Sequence, residues 1–233
     1  ERESLWVAEN ETDEGTFVYI SLLRLGQLAS VRGDVERAFE YFRQSGEVAG
    51  RFEPEERARH VAYLELVKGH AMRAAGRCPD AVAHYTAAAD YYATDKFTTD
   101  HYDTQKGLLI CHLNERDTGA VAVRLPIVFG MLERYREEIR EETVRNSFFG
   151  REQEIFDALV DFELSRGNAD QAFEHLERSR ARSLLDSIVG RIPETAFETG
   201  PRSLAATRAA LPENVQLVEY AVLPGRIAYW VLK

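Results

Sequence analysis

Two cysteines and a handful of histidines are the residues of this 233-residue chain whose types could support covalent catalysis or hold a metal. Thiol catalysis needs a cysteine thiolate brought beside a histidine and an oxyanion site. Cys78 falls at a turn between two predicted helices and Cys111 inside a predicted helix, so both read as packing thiols. They are not spaced as a C-x-x-C ligand pair, and two are too few for a disulfide framework in a chain of this size. His70, His101, Cys111 and His112 fall on the first helices of neighbouring predicted hairpins, where a metal would need them to converge. None forms the i, i+4 pair that nucleates a helical metal site, so they read as polar lining, and no metal or cofactor is expected. The chain has no Gly-rich phosphate loop, paired-carboxylate motif or G-x-S-x-G elbow. No catalytic residue is assigned, and an enzyme complete within these residues is not expected.

The charge balance narrows the partners. A formal charge of −10 opposes the electropositive footprint that backbone binding to nucleic acid requires. No run of about 18 apolar residues is present to span a bilayer, and the first residues lack the basic and apolar segments of a secretory signal. A cytoplasmic location is therefore expected. The chain opens on Glu1 rather than methionine, which reads as a cut in a longer polypeptide. Arg178, Arg180 and Arg182 alternate, so they spread around a helix. They suit a solvated strut, or one docking an acidic flank, better than a phosphate site. Arg134, Arg136 and Arg140 interleave with Glu137, Glu138, Glu141 and Glu142 as an ordinary charged helix face.

The elements that position these residues come from an internal repeat. In LGQLASVRGDVERAFEYFRQS, Gly26, Gly33, Ala38, Phe42 and Ser45 keep the spacing that Gly69, Gly76, Ala81, Tyr85 and Ala88 keep in the next copy. The first small residue lets two antiparallel helices approach, and the second glycine supplies the positive φ that ends the first helix. The alanine and the aromatic, four apart, share one face of the second helix. A further copy holds Gly167, Ala172, Leu176 and Ser179, with Val160 in place of the first glycine. Between Asp100 and Glu133 lies a degenerate copy: Gly107 matches, Asn114 stands at the turn and Gly119 at the alanine site. Pro126 is expected to kink or shorten its helix. The stretches EPEERARHVAYLELVKGHAMRAA and REETVRNSFFGREQEIFDALVDFELSR each read as one long helix.

Beyond Ser179 apolar residues persist in helical spacing at Leu184, Leu185 and Ile188, so that helix runs on past the point where a repeat should close. A connector follows, then a short helix opened near Ser203 and stopped before Pro212. Val215–Val222 and Ile227–Leu232, joined at Pro224-Gly225, read as a β-hairpin. A lone hairpin needs cover, so the chain reads as stopping inside a second domain.

The glycine, alanine and aromatic positions of residues 16–189 resemble the tetratricopeptide repeat. Separations of 43 and 38 residues between Gly26, Gly69 and Gly107 exceed that family's usual 34. From Ala172 to Lys233, the overlong helix AFEHLERSRARSLLDSI followed by LPENVQLVEYAVLPGRIAYWVLK resembles the start of a CHAT domain, a caspase-like module found behind such repeats in bacteria. The resemblance implies an all-α fold: a right-handed superhelical array of repeat-like helix hairpins with long helices, followed by a short truncated β-hairpin. It divides the chain into an array over 1–189, a connector over 190–202, and the start of a CHAT-like domain over 203–233. It also implies a concave groove lined by first helices that binds a protein or peptide. Carried onto this chain, the groove positions are Gln27, Ser30, Tyr63, His70, Arg73, Asp157 and Asp161. Two functions remain open: a sensing arm for a cysteine protease whose catalytic residues lie downstream, or a scaffold that assembles a complex or self-associates.

Overall fold

The computed structural model describes residues 14–93, 99–138, 142–188 and 203–233, with side chains placed for 15–93, 99–135, 152–180 and 203–233. These residues are mostly helical, with one small antiparallel sheet. They separate into two compact units, Glu1–Phe129 and Gly130–Lys233.

The first unit holds α1 (Glu14–Val31), α2 (Val35–Ala49), α3 (Pro54–Ala74), α4 (Cys78–Tyr92), α5 (Thr99–Asn114) and the start of α6 (Thr118–Glu138). Helix α1 packs against α2 and α3 against α4, while α1, α3 and α5 touch in succession along one side. The turns that close these helices share one geometry. Gly33 and Gly76 adopt φ of 79° and 72°. At each, two successive backbone N–H groups reach back to the last turn: Gly33 to Ser30 at 2.9 Å and Asp34 to Ala29 at 3.0 Å, Gly76 to Arg73 and Arg77 to Met72 both at 2.9 Å. This paired closure satisfies carbonyls that a helix end would leave orphaned.

The third turn corrects the sequence expectation. Asn114 still belongs to α5, and the positive-φ position is Arg116, at 59°. Its N–H and that of Asp117 make the same two bonds, to Leu113 and His112. The first helix is therefore two residues longer than the glycine spacing predicts, and the closure holds a non-glycine residue in the left-handed region at a cost of about 1–2 kcal/mol. Counting from Arg116, the alanine position falls on buried Val121, not on Gly119, which is exposed. Pro126 does not shorten α6, which continues to Glu138. Pro126 and Ala122, the residue whose carbonyl loses its partner, both lie on the exposed face, where water can replace the missing bond.

Two aromatics key the helices together. Phe42 is fully buried against Gly26, and Tyr85 is fully buried between Gly69 of α3 and Gly107 of α5. An added Cβ at any of these three glycines would come within 3.0 Å of the ring. Gly107 thus receives the aromatic of the preceding hairpin as well as heading its own copy. Around Tyr85 the buried core gathers Ala62, Leu66, Met72, Cys78, Ala81, Leu108 and Cys111.

In the second unit, α7 (Glu142–Ser165) and α8 (Ala169–Ile188) pack as a pair closed at Gly167, φ 79°. Helix α8 is continuous through Ser179 to Ile188, as its apolar spacing predicts. Helix α9 (Leu204–Ala209) is capped by Ser203, whose hydroxyl accepts from the Ala206 N–H at 3.1 Å. Strands β1 (Leu217–Leu223) and β2 (Arg226–Leu232) pair antiparallel across Pro224-Gly225, with Leu223 opposite Arg226. Proline fixes a negative φ and Gly225 takes 82°, the pattern of a type II turn. One face of the hairpin, with Ala221, Leu223, Trp230 and Leu232, is buried with Val160, Ala172, Phe173 and Leu176. The Trp230 indole N–H donates to the Ala169 carbonyl at 3.1 Å. Arg180 pairs with Glu219, and Arg226 with Asp161, whose backbone carbonyl it also reaches at 3.0 Å.

A methyl group at Gly107 has to displace the Tyr85 ring, so Gly107→Ala should destabilise the chain by about 1–3 kcal/mol despite alanine's better helix propensity. Urea denaturation measures the loss, and Tyr85→Leu in the same background should recover part of it. An alanine variant as stable as the parent would contradict the glycine slot.

Candidate functional site

Helices α1, α3 and α5 turn side chains at helical spacing toward one another, and a cavity of about 400 Å³ opens among them. From α1 come Thr16, Tyr19, Ile20, Leu23 and Arg24; from α3, Arg59, His60 and Tyr63; from α5, Asp100. The floor is fixed. Tyr19 is buried, its hydroxyl donates to the His60 carbonyl at 2.8 Å, and its ring meets the His60 imidazole edge-on at 4.5 Å. The Glu56 carbonyl can only accept, so the His60 Nδ1, 2.8 Å away, carries the proton. Burial raises the pKa of the Tyr19 phenol, which stays a donor.

The walls are apolar and the rim is charged. Leu23 is buried and Ile20 remains 45% exposed, an aliphatic surface open to an incoming group. Arg24 donates to the Gln27 side chain at 3.0 Å, and both arginines on the rim are exposed. Asp100 is part-buried, with the Tyr92 hydroxyl 3.5 Å from its carboxylate, and burial raises its pKa. Burial likewise raises the pKa of the Tyr63 phenol, helped by the fields of Asp100 and Asp103 and opposed by Arg24. The site therefore offers a phenol donor, a carboxylate acceptor and two guanidinium groups around an aliphatic pocket.

Of the groove positions nominated from the sequence, Tyr63 lines this cavity and Gln27 borders it through Arg24. Ser30 lies farther along α1, half-buried. His70 braces the core: its Nδ1 lies 2.8 Å from the Tyr85 hydroxyl, and its ring meets the phenol edge-on. Burial lowers the His70 pKa, and the charge of Arg73, one turn on, adds to the effect. Asp157 and Asp161 belong to the second unit; the Gln153 amide donates to Asp157 at 2.8 Å, while Asp161 is taken up by Arg226 of the hairpin. Sequence reasoning missed Tyr19, Arg24, Arg59, His60 and Asp100. The first two follow from the spacing of Thr16, Tyr19, Leu23 and Arg24 on one helix face, whereas Asp100 has no local signal because its place depends on how α5 packs.

The two thiols lie together in one core cluster. Cys78 and Cys111 are free and buried, and burial, reinforced by a hydrogen bond with Cys78, raises the Cys111 pKa. A thiol so held is a poor nucleophile. His101 lies 3.4 Å from the Gln105 amide, and His112 lies 3.9 Å from Asp117. Among the described residues no three His, Cys, Asp or Glu side chains gather as metal ligands.

No family model, curated protein or solved structure matches the chain. What the cavity offers follows from its shape and charge: an aliphatic pocket with a phenol, a carboxylate and two guanidinium groups around it.

Burial, aided by Arg73 and Lys106, pushes the His70 pKa down to about 4. Unfolded, the same histidine titrates near 6.5, so between these values the unfolded chain binds the extra proton. Stability is full above about pH 6.5 and falls toward pH 4, by roughly 3 kcal/mol from this residue. His70→Gln should make that fall shallower by a similar amount in denaturant titrations at successive pH values. His101, His112 and His175 also have lowered pKa values and preserve part of the slope. An unchanged profile would mean that His70 is not held neutral.

Proposed function

We propose that the first unit is a recognition module that binds a protein or peptide on the face formed by its first helices. The observation that carries this reading is the cavity among α1, α3 and α5, apolar within and charged at its rim. Such a site is concave, anchored on rigid helices and furnished with a few convergent polar groups. The repeated small-residue and aromatic spacing supports a tetratricopeptide-like array of right-handed superhelical form. In such an array the first helices line a concave groove.

In the same proposal the module is the sensing arm of a CHAT-family caspase-like cysteine protease, with the catalytic histidine and cysteine beyond Lys233. Supporting this is the outward face of the hairpin. The cross-strand pairs Val218–Val231, Tyr220–Tyr229 and Val222–Ile227 are all exposed. A two-stranded sheet with an uncovered apolar face suits the first strands of a larger sheet. A cytoplasmic location goes with this reading, and no helix among the described residues is long and apolar enough to cross a membrane. A negatively charged chain also suits a protein ligand better than nucleic acid.

The same exposed face favours a second reading, a non-catalytic scaffold that self-associates through the hairpin. The two are separated by expressing the uninterrupted parent polypeptide beside this chain and assaying peptide cleavage and labelling by a thiol-reactive probe. Cleavage and labelling by the parent alone are expected. Silence from both across candidate partners, with a dimer in light scattering that Tyr220→Ser and Tyr229→Ser abolish, would establish the scaffold instead.

A further inference from the structure

The cavity of the first unit carries more chemistry than a generic peptide groove. The chain has a formal charge of −10, yet the residues lining this cavity include two arginines, Arg24 and Arg59, against one carboxylate, Asp100, with the field of Asp103 also reaching Tyr63. Arg24 is held by the neutral Gln27 amide, and neither arginine has an ion-pair partner among the described residues. Both guanidinium groups are exposed, so each can engage a ligand without first breaking a salt bridge. Between them the interior is aliphatic and aromatic, from Ile20, Leu23 and the ring of Tyr19. A volume of about 400 Å³ lies in the range of sites for small ligands, enough for an aliphatic side chain with its backbone.

We propose that this cavity binds a short extended segment of an acidic peptide, seating an aliphatic side chain in the pocket and a flanking carboxylate on Arg24 and Arg59. The proposal rests on the recognition reading above and names its ligand chemistry. Arginine forks match carboxylates geometrically and electrostatically. Charge complementarity also excludes basic segments, which would bring like charge to the rim.

Asp100 and Tyr63 distinguish a peptide from a simple fatty acid. A fatty acid would satisfy the arginines and the pocket but bring the part-buried Asp100 carboxylate no donor beyond the long 3.5 Å contact from the Tyr92 hydroxyl. An extended peptide brings backbone N–H groups that Asp100 can accept and carbonyls to which the Tyr63 hydroxyl can donate. Leaving such groups unpaired on binding is what makes the wrong ligand weak.

The test uses this chain and three fluorescein-labelled hexapeptides with Glu-Leu-Glu, Gln-Leu-Gln or Lys-Leu-Lys at their centre, with octanoate as competitor, read by fluorescence anisotropy. The Glu peptide should bind at least about tenfold tighter than the Gln peptide and weaken with added salt; the Lys peptide should bind least. Arg24→Gln and Arg59→Gln alter exposed side chains, keep the helical circular dichroism, and should each weaken the Glu peptide about tenfold with little effect on the Gln peptide. Asp100→Asn should weaken the Glu peptide without improving octanoate.

Equal binding of the Glu and Gln peptides, unaffected by Arg59→Gln, would overturn the acidic specificity and leave recognition by the module standing. Octanoate that binds as tightly as the Glu peptide and displaces it would overturn the peptide ligand in favour of a small carboxylic acid. No saturable binding of any probe would overturn the proposal outright, whereas the recognition reading would still be decided by the parent polypeptide's own partners and cleavage assay.

Discussion

The ring of Tyr85 fits between α3 and α5 only because each helix presents it with a glycine, and much of the first unit follows from that fit. Glycine inside a helix costs about 1 kcal/mol of propensity, twice over here, and the return is a fully buried aromatic that fixes the distance between two first helices. His70 completes the lock by meeting the Tyr85 hydroxyl, so a polar atom at the centre of the core is not left unpaired. Phe42 against Gly26 repeats the arrangement one hairpin earlier. Close approach of α1, α3 and α5 is in turn what turns Tyr19, Arg59, Tyr63 and Asp100 toward one cavity.

The hairpin turns work as a second constraint. Four helix ends close through the same pair of backbone bonds, at Gly33, Gly76, Arg116 and Gly167. That one of them is an arginine shows that the closure, and not the glycine, is the conserved element of this architecture within the chain: two backbone hydrogen bonds and the packing of both helices outweigh the steric cost of a Cβ at positive φ. The second unit uses different means to join sheet to helix. Its hairpin is held by an apolar face against α7 and α8, by the Trp230 indole on the Ala169 carbonyl, and by two arginine pairs, Arg180–Glu219 and Arg226–Asp161. Asp161 has the look of an available acidic residue on a helix, yet it serves this attachment.

Local pattern by itself determined the helices, their long lengths, the glycine turns at positions 33, 76 and 167, the run of α8 through Ser179 and the hairpin about Pro224-Gly225. These depend on periodicity, caps and positive-φ residues, which are encoded within a few residues of where they act. The tertiary structure decided the rest. The turn at Arg116 has no glycine to announce it, so counting from Gly107 misplaced Asn114 and Gly119; only packing shows that Gly107 also serves the ring of the preceding hairpin. Pro126 could stay within α6 because Ala122, whose carbonyl it leaves unpaired, lies on the exposed face, a placement that local sequence does not specify. The cavity is the clearest case. Tyr63 was nominated from its repeat position, but Arg24, Arg59 and Asp100 lie on three helices up to 76 residues apart in sequence, and their convergence is a property of interhelical packing. A chain's pattern sets which face a helix buries; which partners meet across that face is set by the volumes that fit, and here those volumes are a phenol ring and two missing methyl groups.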